Sequence, residues 1–514
     1  MEQLTPQRRR LVLAVIALAL MMVSAAVSSL NVALPGLARD TGATQTELQW
    51  IVDAYTVVFA GLLLSAGALG DRFGRRIVLI AGLIVFGSAA AAAVTIDSPT
   101  TLIWLRAIMG VGAALTMPTT LSIITTSFPP QEKGKAIGLW VGIAGGGAVV
   151  GIFVSGLLLE WFDWNSIFVL NVVLAVLALI GTIAFIPESR DPQAASLDVV
   201  GALLSLFVVG GLVFGIIELP SRGWSDPGVI VGIVGGLAAG VAFVLWELRR
   251  EHPLLDPRYF RLRGFGTGSL SLTVQFFAFF GFVFVLMQYL QFVAGLSPLQ
   301  AAVAILPMPI VLLPLARQTP AIADRFGLNR VGSLGLASMA IGMLLISRLE
   351  VDLYYPLLAV GLVFLGVGMA LSGAPATTAI VSSLPESKQG VASAVNDTTR
   401  EFGGAIGIAV IGSALNATYR DGIDQAVAEL PAQASEQLPP DVVEGAEESI
   451  AFALNLADQL GPVGQQLTAV ASQSFVDGIG NALVTAAGAL VLGAAFVFWR
   501  APRRQQLEVA EDVV

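Results

Sequence analysis

Long apolar runs separated by short polar stretches fill most of the chain, and this pattern predicts a protein built from membrane-spanning helices. Each run is long enough for the roughly 20 residues that a helix needs to cross a bilayer. The fourteen runs fall near residues 11–34, 47–69, 77–96, 100–125, 134–159, 165–186, 197–218, 227–247, 264–292, 297–321, 329–347, 355–383, 389–416 and 475–499. An even number of spans places both termini on the same side of the membrane.

Composition agrees with this pattern. The 514 residues are 56% hydrophobic and only 12% charged, about half the charged fraction of a soluble globular protein. We therefore expect an all-α polytopic membrane protein. The chain has no cysteine and a single histidine, His252, in a charged linker, which argues against a thiolate or histidine metal site and against a Ser-His-Asp triad. No phosphate-binding G-x-x-x-x-G-K-[ST] loop occurs, so ATP hydrolysis is not the expected energy source. We expect no cofactor, no metal, no nucleic-acid partner and no enzymatic activity.

The distribution of Lys and Arg predicts orientation. On this topology the loops on the side of the termini hold most of the 27 basic residues, and the opposite loops hold four, Arg39, Arg222, Arg348 and Arg420. The twenty on the terminal side are Arg8, Arg9, Arg10, Arg72, Arg75, Arg76, Lys133, Lys135, Arg190, Arg249, Arg250, Arg258, Arg261, Arg263, Arg325, Arg330, Lys388, Arg500, Arg503 and Arg504. Basic loops stay in the cytoplasm, so we expect a multi-pass protein of the plasma (inner) membrane with both termini cytoplasmic.

A charged segment, GALGDRFGRR, joins the second and third runs and recurs in degenerate form as PAIADRFGLNR at 320–330. We expect a short loop here, with Gly67, Gly70 and Gly74 available for a turn. One interpretation is a basic hairpin that fixes topology; the other is a gating loop within a duplicated architecture. The residues concerned are Gly67, Asp71, Arg72, Gly74, Arg75 and Arg76 in the first copy, and Asp324 and Arg325 in the second.

This segment resembles the loop between helices two and three of the major facilitator superfamily of transporters, with the pattern G-x-L-a-D-r-x-G-r-r. In that family the loop is cytoplasmic and helps to latch the two halves. The end of the first run, SSLNVALPGL, is similar to a motif of the fourteen-helix drug:proton antiporters, matched at Asn31, Ala33, Leu34 and Pro35. The subfamily's acidic position is Ala26 in this chain, which moves any proton-carrying role to another residue.

The resemblance implies two six-helix bundles with two extra helices, and we predict boundaries accordingly. Residues 1–186 form the N-terminal bundle, 187–263 a linker with the extra helices seven and eight, and 264–514 the C-terminal bundle. The latter contains a long extracytoplasmic loop, 417–474. Its helix-favouring stretches indicate an amphipathic helical cap, and a tethered, partly disordered loop is the alternative.

Ionisable residues inside apolar runs are costly and mark candidate functional positions. Asp53 on helix two and Arg106 on helix four lie at similar depths from the same end, so a pair is feasible. Arg106 also matches the superfamily's helix-four pattern, together with Gly110 and Gly112. The pair either couples protons and substrate or is a purely structural ion pair.

Polar residues also cluster in the second half. The segment 390–413 resembles helix thirteen of the same subfamily and places Asn396, Asp397, Arg400 and Glu401 within two turns, with Asp397 and Glu401 on one face. Their role is either a structural network or gating and proton relay. On helix nine, three glutamines and several phenylalanines form either a cavity wall or a lipid-facing surface. With Asn31, the cavity candidates are Gln275, Gln288, Gln291 and Phe280.

These features predict a proton-coupled secondary transporter that exports small lipophilic or amphipathic compounds by alternating access. Its expected partners are a small-molecule substrate, protons and membrane lipid, and we expect a monomer. An exporter of one specific metabolite or antibiotic is the alternative within the same class, and a non-transporting membrane scaffold is the alternative outside it.

Overall fold

The chain is all-α in the computed structural model, which describes residues 5–190, 197–251, 253–385, 388–429, 439–460 and 464–502. Within these residues it contains helices and no strands. The predicted all-α polytopic class is confirmed. His252, Arg503 and Arg504 lie outside the described residues, as do parts of the 417–474 segment.

Seventeen α-helices are present in the described chain. The first eight are α1 Pro6–Thr41, α2 Gln45–Phe73, α3 Arg75–Ala93, α4 Pro99–Ser127, α5 Pro130–Leu158, α6 Ser166–Phe185, α7 Val199–Arg222 and α8 Pro227–Glu247. A 3₁₀ turn, Pro257–Arg261, leads into α9 Arg263–Gln288, which continues as a π-helical turn, Tyr289–Val293. The remainder are α10 Pro298–Ala304, α11 Pro307–Phe326, α12 Leu328–Ile346, α13 Tyr355–Ser382, α14 Gln389–Ala428, α15 Pro440–Glu448, α16 Ile450–Leu460 and α17 Gly464–Arg500.

Thirteen helical segments in the described chain are long and apolar enough to cross a membrane. They occupy thirteen of the fourteen predicted span positions, with α10 and α11 together forming one segment. The remaining position is taken by α5, which is 29 residues long. At 1.5 Å per residue a helix of that length exceeds the roughly 30 Å thickness of the hydrocarbon core.

The predicted loop 417–474 is largely helical. Helix α14 continues past the predicted end at 416 to Ala428, and α17 begins at Gly464, before the predicted start at 475. Between them α15 and α16 pack on α14 and α17. The helices therefore extend beyond the predicted spans, because polar, alanine-rich sequence keeps its helical preference where the apolar run stops.

The two Asp-Arg-Phe-Gly segments each end one helix and start the next at a single glycine. Gly74 has φ +114° between α2 and α3, and Gly327 has φ +90° between α11 and α12. Both values lie in the region that favours glycine. The prediction of a turn that also uses Gly67 and Gly70 is wrong, because both residues belong to α2. An unbroken helix therefore carries Asp71 to the break.

Helix pairing is the same in two parts of the chain, α1–α6 (the first half) and α9–α17 (the second half). In the first half α1 packs on α5 and α6, α4 on α2 and α3, and α3 on α6. Counting α10–α11 as one span, the second half repeats each pair: α9 on α14 and α17, α13 on α11 and α12, and α12 on α17. A duplicated architecture accounts for this repetition.

Helices α7 and α8 form a hairpin outside both repeats. They pack on each other through close backbone approaches at glycines, for example between Gly211 and Gly232. Helix α7 also packs on both α2 and α14. It therefore lies along the seam where the first half meets the second.

The halves are hydrogen-bonded to each other away from the termini. We call the side of Pro6 and Arg500 the terminal side, and the other the opposite side. Four hydrogen bonds in the described residues join the halves: Gln291 Nε2 to Val32 O at 2.9 Å, Ser297 Oγ to Glu160 Oε2 at 3.0 Å, Asn416 Nδ2 to Thr46 Oγ1 at 3.3 Å, and Ser449 Oγ to Ala43 O at 3.4 Å. Each of the four includes a residue at or next to a helix end on the opposite side, so this is where the structure is closed.

Candidate functional site

Helix α2 carries the central candidate residues in a register set by its first turn. Thr44 caps the helix, its hydroxyl accepting from Glu47 N at 3.2 Å while the Glu47 carboxylate accepts from Thr44 N at 3.0 Å. This reciprocal arrangement satisfies two of the otherwise free donors at a helix start. Asp53 follows two turns later, at a depth similar to that of Arg106 in α4.

Arg106 binds to one face of α2. Its Nε donates to Ile51 O at 3.0 Å, and its guanidinium carbon lies 4.3 Å from the centre of the Tyr55 ring. The side chain is 1% exposed, and its Nη2 has no hydrogen-bond partner in the described residues. Arg106 thus joins α4 to α2 through a carbonyl and an aromatic face.

The predicted pair between Asp53 and Arg106 is not formed. Successive residues of an α-helix are rotated by about 100°, so Asp53 points about 200° away from Tyr55, on which Arg106 rests. No ion pair between Asp53 and Arg106 occurs among the described residues. The depth argument was correct, but matching depth does not place two side chains on facing surfaces.

Asp53 lies instead on the face of α2 that carries Gln49 and Val57. One turn before it, Gln49 lies against α14 so closely that a Cβ on Gly412 would overlap its amide. One turn after it, Val57 belongs to an apolar cluster with residues of α7 and α14, among them Val213 and Ala409. Asp53 is fully buried between these contacts, and neither carboxylate oxygen has a hydrogen-bond partner in the described residues. The structure therefore places an unpartnered acid at the seam between the halves.

The acids of α14 are partnered. Asp397 is 6% exposed; its Oδ1 accepts from Asn396 Nδ2 at 3.3 Å and lies 3.9 Å from Arg400 Nη1. Thr377 Oγ1 of α13 donates to Asn396 Oδ1 at 3.0 Å, which fixes the amide. The Arg400 guanidinium also lies over the Phe276 ring, 4.6 Å from its centre. These contacts bind α14 to both α9 and α13.

Glu401 follows Asp397 by one turn. It is 7% exposed, and its Oε2 has no hydrogen-bond partner in the described residues. The α14 residues that the sequence grouped therefore lie together at one level of the helix.

Among the cavity candidates, Gln275 and Phe280 pack within the second half. Ser372 Oγ of α13 donates to Gln275 Oε1 at 2.6 Å. Phe280 is 9% exposed and fits against Gly404 of α14, where a Cβ would collide with its ring. Both side chains hold α9 to its neighbours.

The other three cavity candidates are buried towards the opposite side. Asn31 and Gln288 each donate to a carbonyl one turn earlier in their own helix, and each keeps an amide oxygen without a hydrogen-bond partner in the described residues. Gln291 is one of the four residues that donate across the halves. The sequence marked these residues as polar but gave no sign that Gln291 joins α9 to α1.

The charged segment after Gly67 makes contacts inside the first half. Arg75 pairs with Asp71, Nη2 to Oδ1 at 2.7 Å, and its backbone N donates to Ser189 O at 2.9 Å. Arg76 Nη2 donates to Ile183 O at 2.7 Å. The guanidinium of Arg72 lies over the adjacent Phe73, as that of Arg325 lies over Phe326, while Asp324 is exposed. In this arrangement the first copy ties the α2–α3 junction to the end of α6.

Sequence reasoning missed a buried acid on α7. Glu218 is 9% exposed and accepts from Trp50 Nε1 of α2 at 2.8 Å and from Arg222 Nε at 2.8 Å. Its only sequence signal was an acid at the last position of the apolar run 197–218. It also missed Gln49 and Tyr55. Their roles depend on contacts with other helices, namely Gly412 of α14 and Arg106 of α4.

The comparison with known families decides the identity. The family model of the Major Facilitator Superfamily matches residues 16–408, which is well over half of the chain. The chain belongs to the major facilitator superfamily. The recognition based on the segment from Gly67 to Arg76 is confirmed.

Curated relatives of this superfamily member align over most of its length. The multidrug efflux pump LfrA of Mycolicibacterium smegmatis is 34% identical over 502 residues, 97% of each chain. The puromycin resistance protein of Streptomyces alboniger is 36% identical over 390 residues, covering 74% of this chain and 76% of the relative.

Solved structures of transporters share the fold. A bacterial homologue of the human lysosomal transporter Spinster, crystallised in an inward-facing and unoccupied conformation, aligns with a TM-score of 0.67 and 15% identity. The alignment covers 96% of this chain and 97% of the other. The predicted major facilitator fold is confirmed, and the chain is a multi-pass membrane transporter.

Proposed function

We propose that this transporter exports small lipophilic or amphipathic compounds and that protons moving in the other direction drive the export. Relatives that align over most of the chain are named for multidrug efflux and for puromycin resistance, which supports a drug-like substrate class. Two halves related by duplication suit alternating access about a central site.

The observation that carries proton coupling is the state of Asp53. A carboxylate held in an apolar seam without a partner costs several kcal/mol. A neutral carboxyl group costs about 1–3 kcal/mol when its hydrogen bonds are missing. Protonation therefore favours the arrangement in which α2 and α14 are closed around Asp53. Loss of the proton favours an arrangement that brings the carboxylate to water, and this difference couples the proton to the conformation.

A second group of charges lies on α14, where the cation Arg400 accompanies the acids Asp397 and Glu401. Because Arg400 neutralises part of the acidic charge in place, we assign this group to gating, where α14 moves against α2 and α9. The Asp71 and Asp324 segments belong to the same gating scheme at the terminal side.

We assign the terminal side to the cytoplasm of a cell bounded by the plasma membrane. The basic residues concentrated on the terminal side favour this orientation. With the halves hydrogen-bonded on the opposite side, the described arrangement would then be closed to the exterior. A compound in the cytoplasm or inner leaflet would enter from the terminal side. We expect the monomer to be the working unit.

Export of one specific antibiotic is the second candidate. The favouring observation is that the acid of the subfamily's first-helix motif is replaced by Ala26, which is 1% exposed, so no carboxylate is available there for a permanently cationic drug. A panel of cationic and neutral compounds in one efflux assay distinguishes this candidate from broad export.

The decisive experiment replaces Asp53 by Asn in cells that extrude a fluorescent lipophilic dye. We expect Asp53→Asn to lower proton-driven efflux by more than tenfold, because the amide cannot take up a proton. Membrane levels of the protein should stay within twofold of the parent. The matched control is Asp477→Asn, an exposed acid of α17, which should leave efflux unchanged. Parent-level efflux by Asp53→Asn would overturn the assignment to Asp53.

A further inference from the structure

A cavity of about 480 Å³ lies at the opposite side, among the end of α1, the α5–α6 connection and the segment that joins α9 to α10. Its volume is within the range of sites that hold small organic molecules. Val32 of the first half and Gln291 of the second half both line it, and the 2.9 Å hydrogen bond between them is one of the four that join the halves. The wall of the cavity is therefore complete only while the halves are closed on this side.

Acidic groups outnumber basic ones in this wall. Asp40, near the end of α1, and Asp163, before α6, both line the cavity, and neither forms an ion pair in the described residues. The only basic side chain among the described lining residues is Arg39, whose guanidinium carbon lies 5.5 Å from the centre of the Phe292 ring of the second half. Two carboxylates and one guanidinium leave the wall with a net negative charge. All three charged side chains are exposed, so the cavity is open at the surface.

A buried acceptor in the same wall has no donor. Gln291 is 6% exposed; its Nε2 donates to Val32 O, and its Oε1 accepts no hydrogen bond in the described residues. Buried polar groups are almost always hydrogen-bonded, so this oxygen indicates a donor from a ligand or from water. The hydroxyl of Ser297, which also lines the cavity, is engaged, since it donates to Glu160 and accepts from Gln300 N at 3.3 Å.

The acceptors that remain free are thus two carboxylates and one amide oxygen, which a positively charged group with N–H donors complements. Apolar surface adjoins them. Trp164 lines the cavity, is 5% exposed and packs edge-on against Phe168, with 6.2 Å between ring centres. Phe162 and Leu296 line it from the two halves. Aromatic faces attract cations, and apolar walls favour the hydrocarbon part of a ligand.

We propose that an organic cation with N–H donors and a short apolar body binds in this cavity from the opposite side and holds the two halves closed. The cationic group faces Asp40 and Asp163 and donates to Gln291 Oε1, while the apolar body lies against Trp164. Because the ligand contacts both halves, it binds the closed arrangement better than one in which the halves have separated there. It therefore inhibits transport. The binding is independent of the proposed function, whereas the inhibition rests on it.

Binding is measured by isothermal titration calorimetry with the purified full chain in detergent and phenethylguanidinium as the ligand. A guanidinium group stays charged throughout the usable pH range. Phenethylurea has nearly the same shape without the charge and is the matched control ligand. We expect the guanidinium compound to bind roughly tenfold more tightly than the urea, which is the factor expected from two partly exposed charge pairs.

Asp40→Asn and Asp163→Asn should each weaken this binding by roughly threefold, and the double variant by roughly tenfold. Both side chains are exposed, so the substitutions leave the packing between the halves in place. The matched control is Asp477→Asn, an exposed acid of α17, which should leave the affinity unchanged. Absence of binding by the parent, equal affinity for phenethylurea or parent-level affinity in the double variant would overturn the assignment of the cavity.

Inhibition is measured on cells that extrude Nile red, a neutral dye that does not compete for the acidic wall. A fixed charge is costly in the bilayer, so phenethylguanidinium added to the medium meets the opposite side alone. We expect it to slow efflux, and the double variant should need roughly tenfold more of it to halve its own efflux rate. In inverted vesicles, where the compound meets the terminal side, it should not inhibit.

The outcomes distinguish failure of this inference from failure of the proposed function. Binding without inhibition from the medium would overturn the closing role of the ligand, and so would equal inhibition of the parent and the double variant. In either case, Nile red efflux by the untreated parent leaves the proposed function standing. If the untreated parent does not extrude the dye, the proposed function fails, and calorimetry still decides whether the cavity binds the cation.

Discussion

The acid of α2 and the acids of α14 are both buried in the membrane-spanning part, but their surroundings differ. Asp53 has no hydrogen-bond partner and no ion-pair partner among the described residues. Asp397 has an amide donor and the Arg400 guanidinium beside it, and Arg400 rests on an aromatic ring. Sequence inspection left both regions open between a structural role and a role in proton coupling, since each contains an acid and an arginine.

The difference separates two uses of a buried charge. An acid with a cation in place can stay ionised while the helices around it move, so it suits a structural or gating contact. An acid without a partner remains buried at low cost only when it is protonated, so its surroundings must change when the proton leaves. The seam at Asp53 is therefore the better candidate for coupling, and the α14 group for holding α9, α13 and α14 together.

The largest expected effect comes from removing the cation of α14. Arg400→Leu leaves Asp397 and Glu401 without compensation, and breaking a buried pair in this way typically costs about 3 kcal/mol. We expect the purified variant to lose that much stability, measured as a lowered midpoint of thermal unfolding in detergent. The double variant Arg400→Leu with Asp397→Asn should recover part of the loss, because one uncompensated charge is removed.

Equal stability of Arg400→Leu and the parent would show that the α14 charges are not held by Arg400. The contrast drawn here between Asp397, which has a cation beside it, and Asp53, which has none, would then be contradicted. Lys135→Leu, an exposed cation of α5, is the matched control and should leave the unfolding midpoint unchanged.

A smaller effect is expected in the coupling free energy between the acid and the arginine, both in α14 and at the contact between α2 and α4. A double-mutant cycle with Asp397→Asn and Arg400→Leu should give a coupling free energy of about 1 kcal/mol or more. A cycle with Asp53→Asn and Arg106→Leu should give less than about 0.5 kcal/mol, because Arg106 of α4 contacts a face of α2 that points away from Asp53. A larger coupling at Asp53 and Arg106 would contradict the geometry described here.

The smallest expected effect is a pH dependence in the stability of α15 and α16, which pack on α14 and α17 beyond the predicted membrane spans. Burial, the hydrogen bond with Asp424 and the nearby Glu444 raise the pKa of Glu447 in α15 from 4.5 to about 7, while Arg420 opposes the shift. Arg420 also lies within 3.8 Å of Glu448. The pKa of Glu447 is higher in the folded state than in the unfolded state. The folded α15 region is therefore most stable below about pH 4.5, and it loses this stability as the pH rises through about 7.

We therefore expect residues 440–460 to exchange amide hydrogens more slowly at pH 5.5 than at pH 8, after correction for intrinsic rates. Glu447→Gln should remove most of this pH dependence, since the amide does not titrate. A pH dependence that persists in Glu447→Gln would assign the effect to another group.

Local sequence signals predicted the helices and their breaks. The Asp-Arg-Phe-Gly repeats marked the ends of α2 and α11, because Gly74 and Gly327 adopt backbone angles that other residues avoid. The family resemblance rested on the same residues and was confirmed. The ends of α14 and α17 could not be predicted from hydropathy, because helical preference and apolarity are separate properties.

The sequence by itself determined which residues are at which depth: the rise per residue is constant, so Asp53 and Arg106 fall at similar levels in any helical arrangement. It also determined that the acids are costly to bury, because that cost belongs to the carboxylate. Only the tertiary structure decided which way each side chain points. The rotation of α2 about its axis is set by the combined packing of α4, α7 and α14, and this packing turns Tyr55 towards Arg106 and leaves Asp53 alone at the seam.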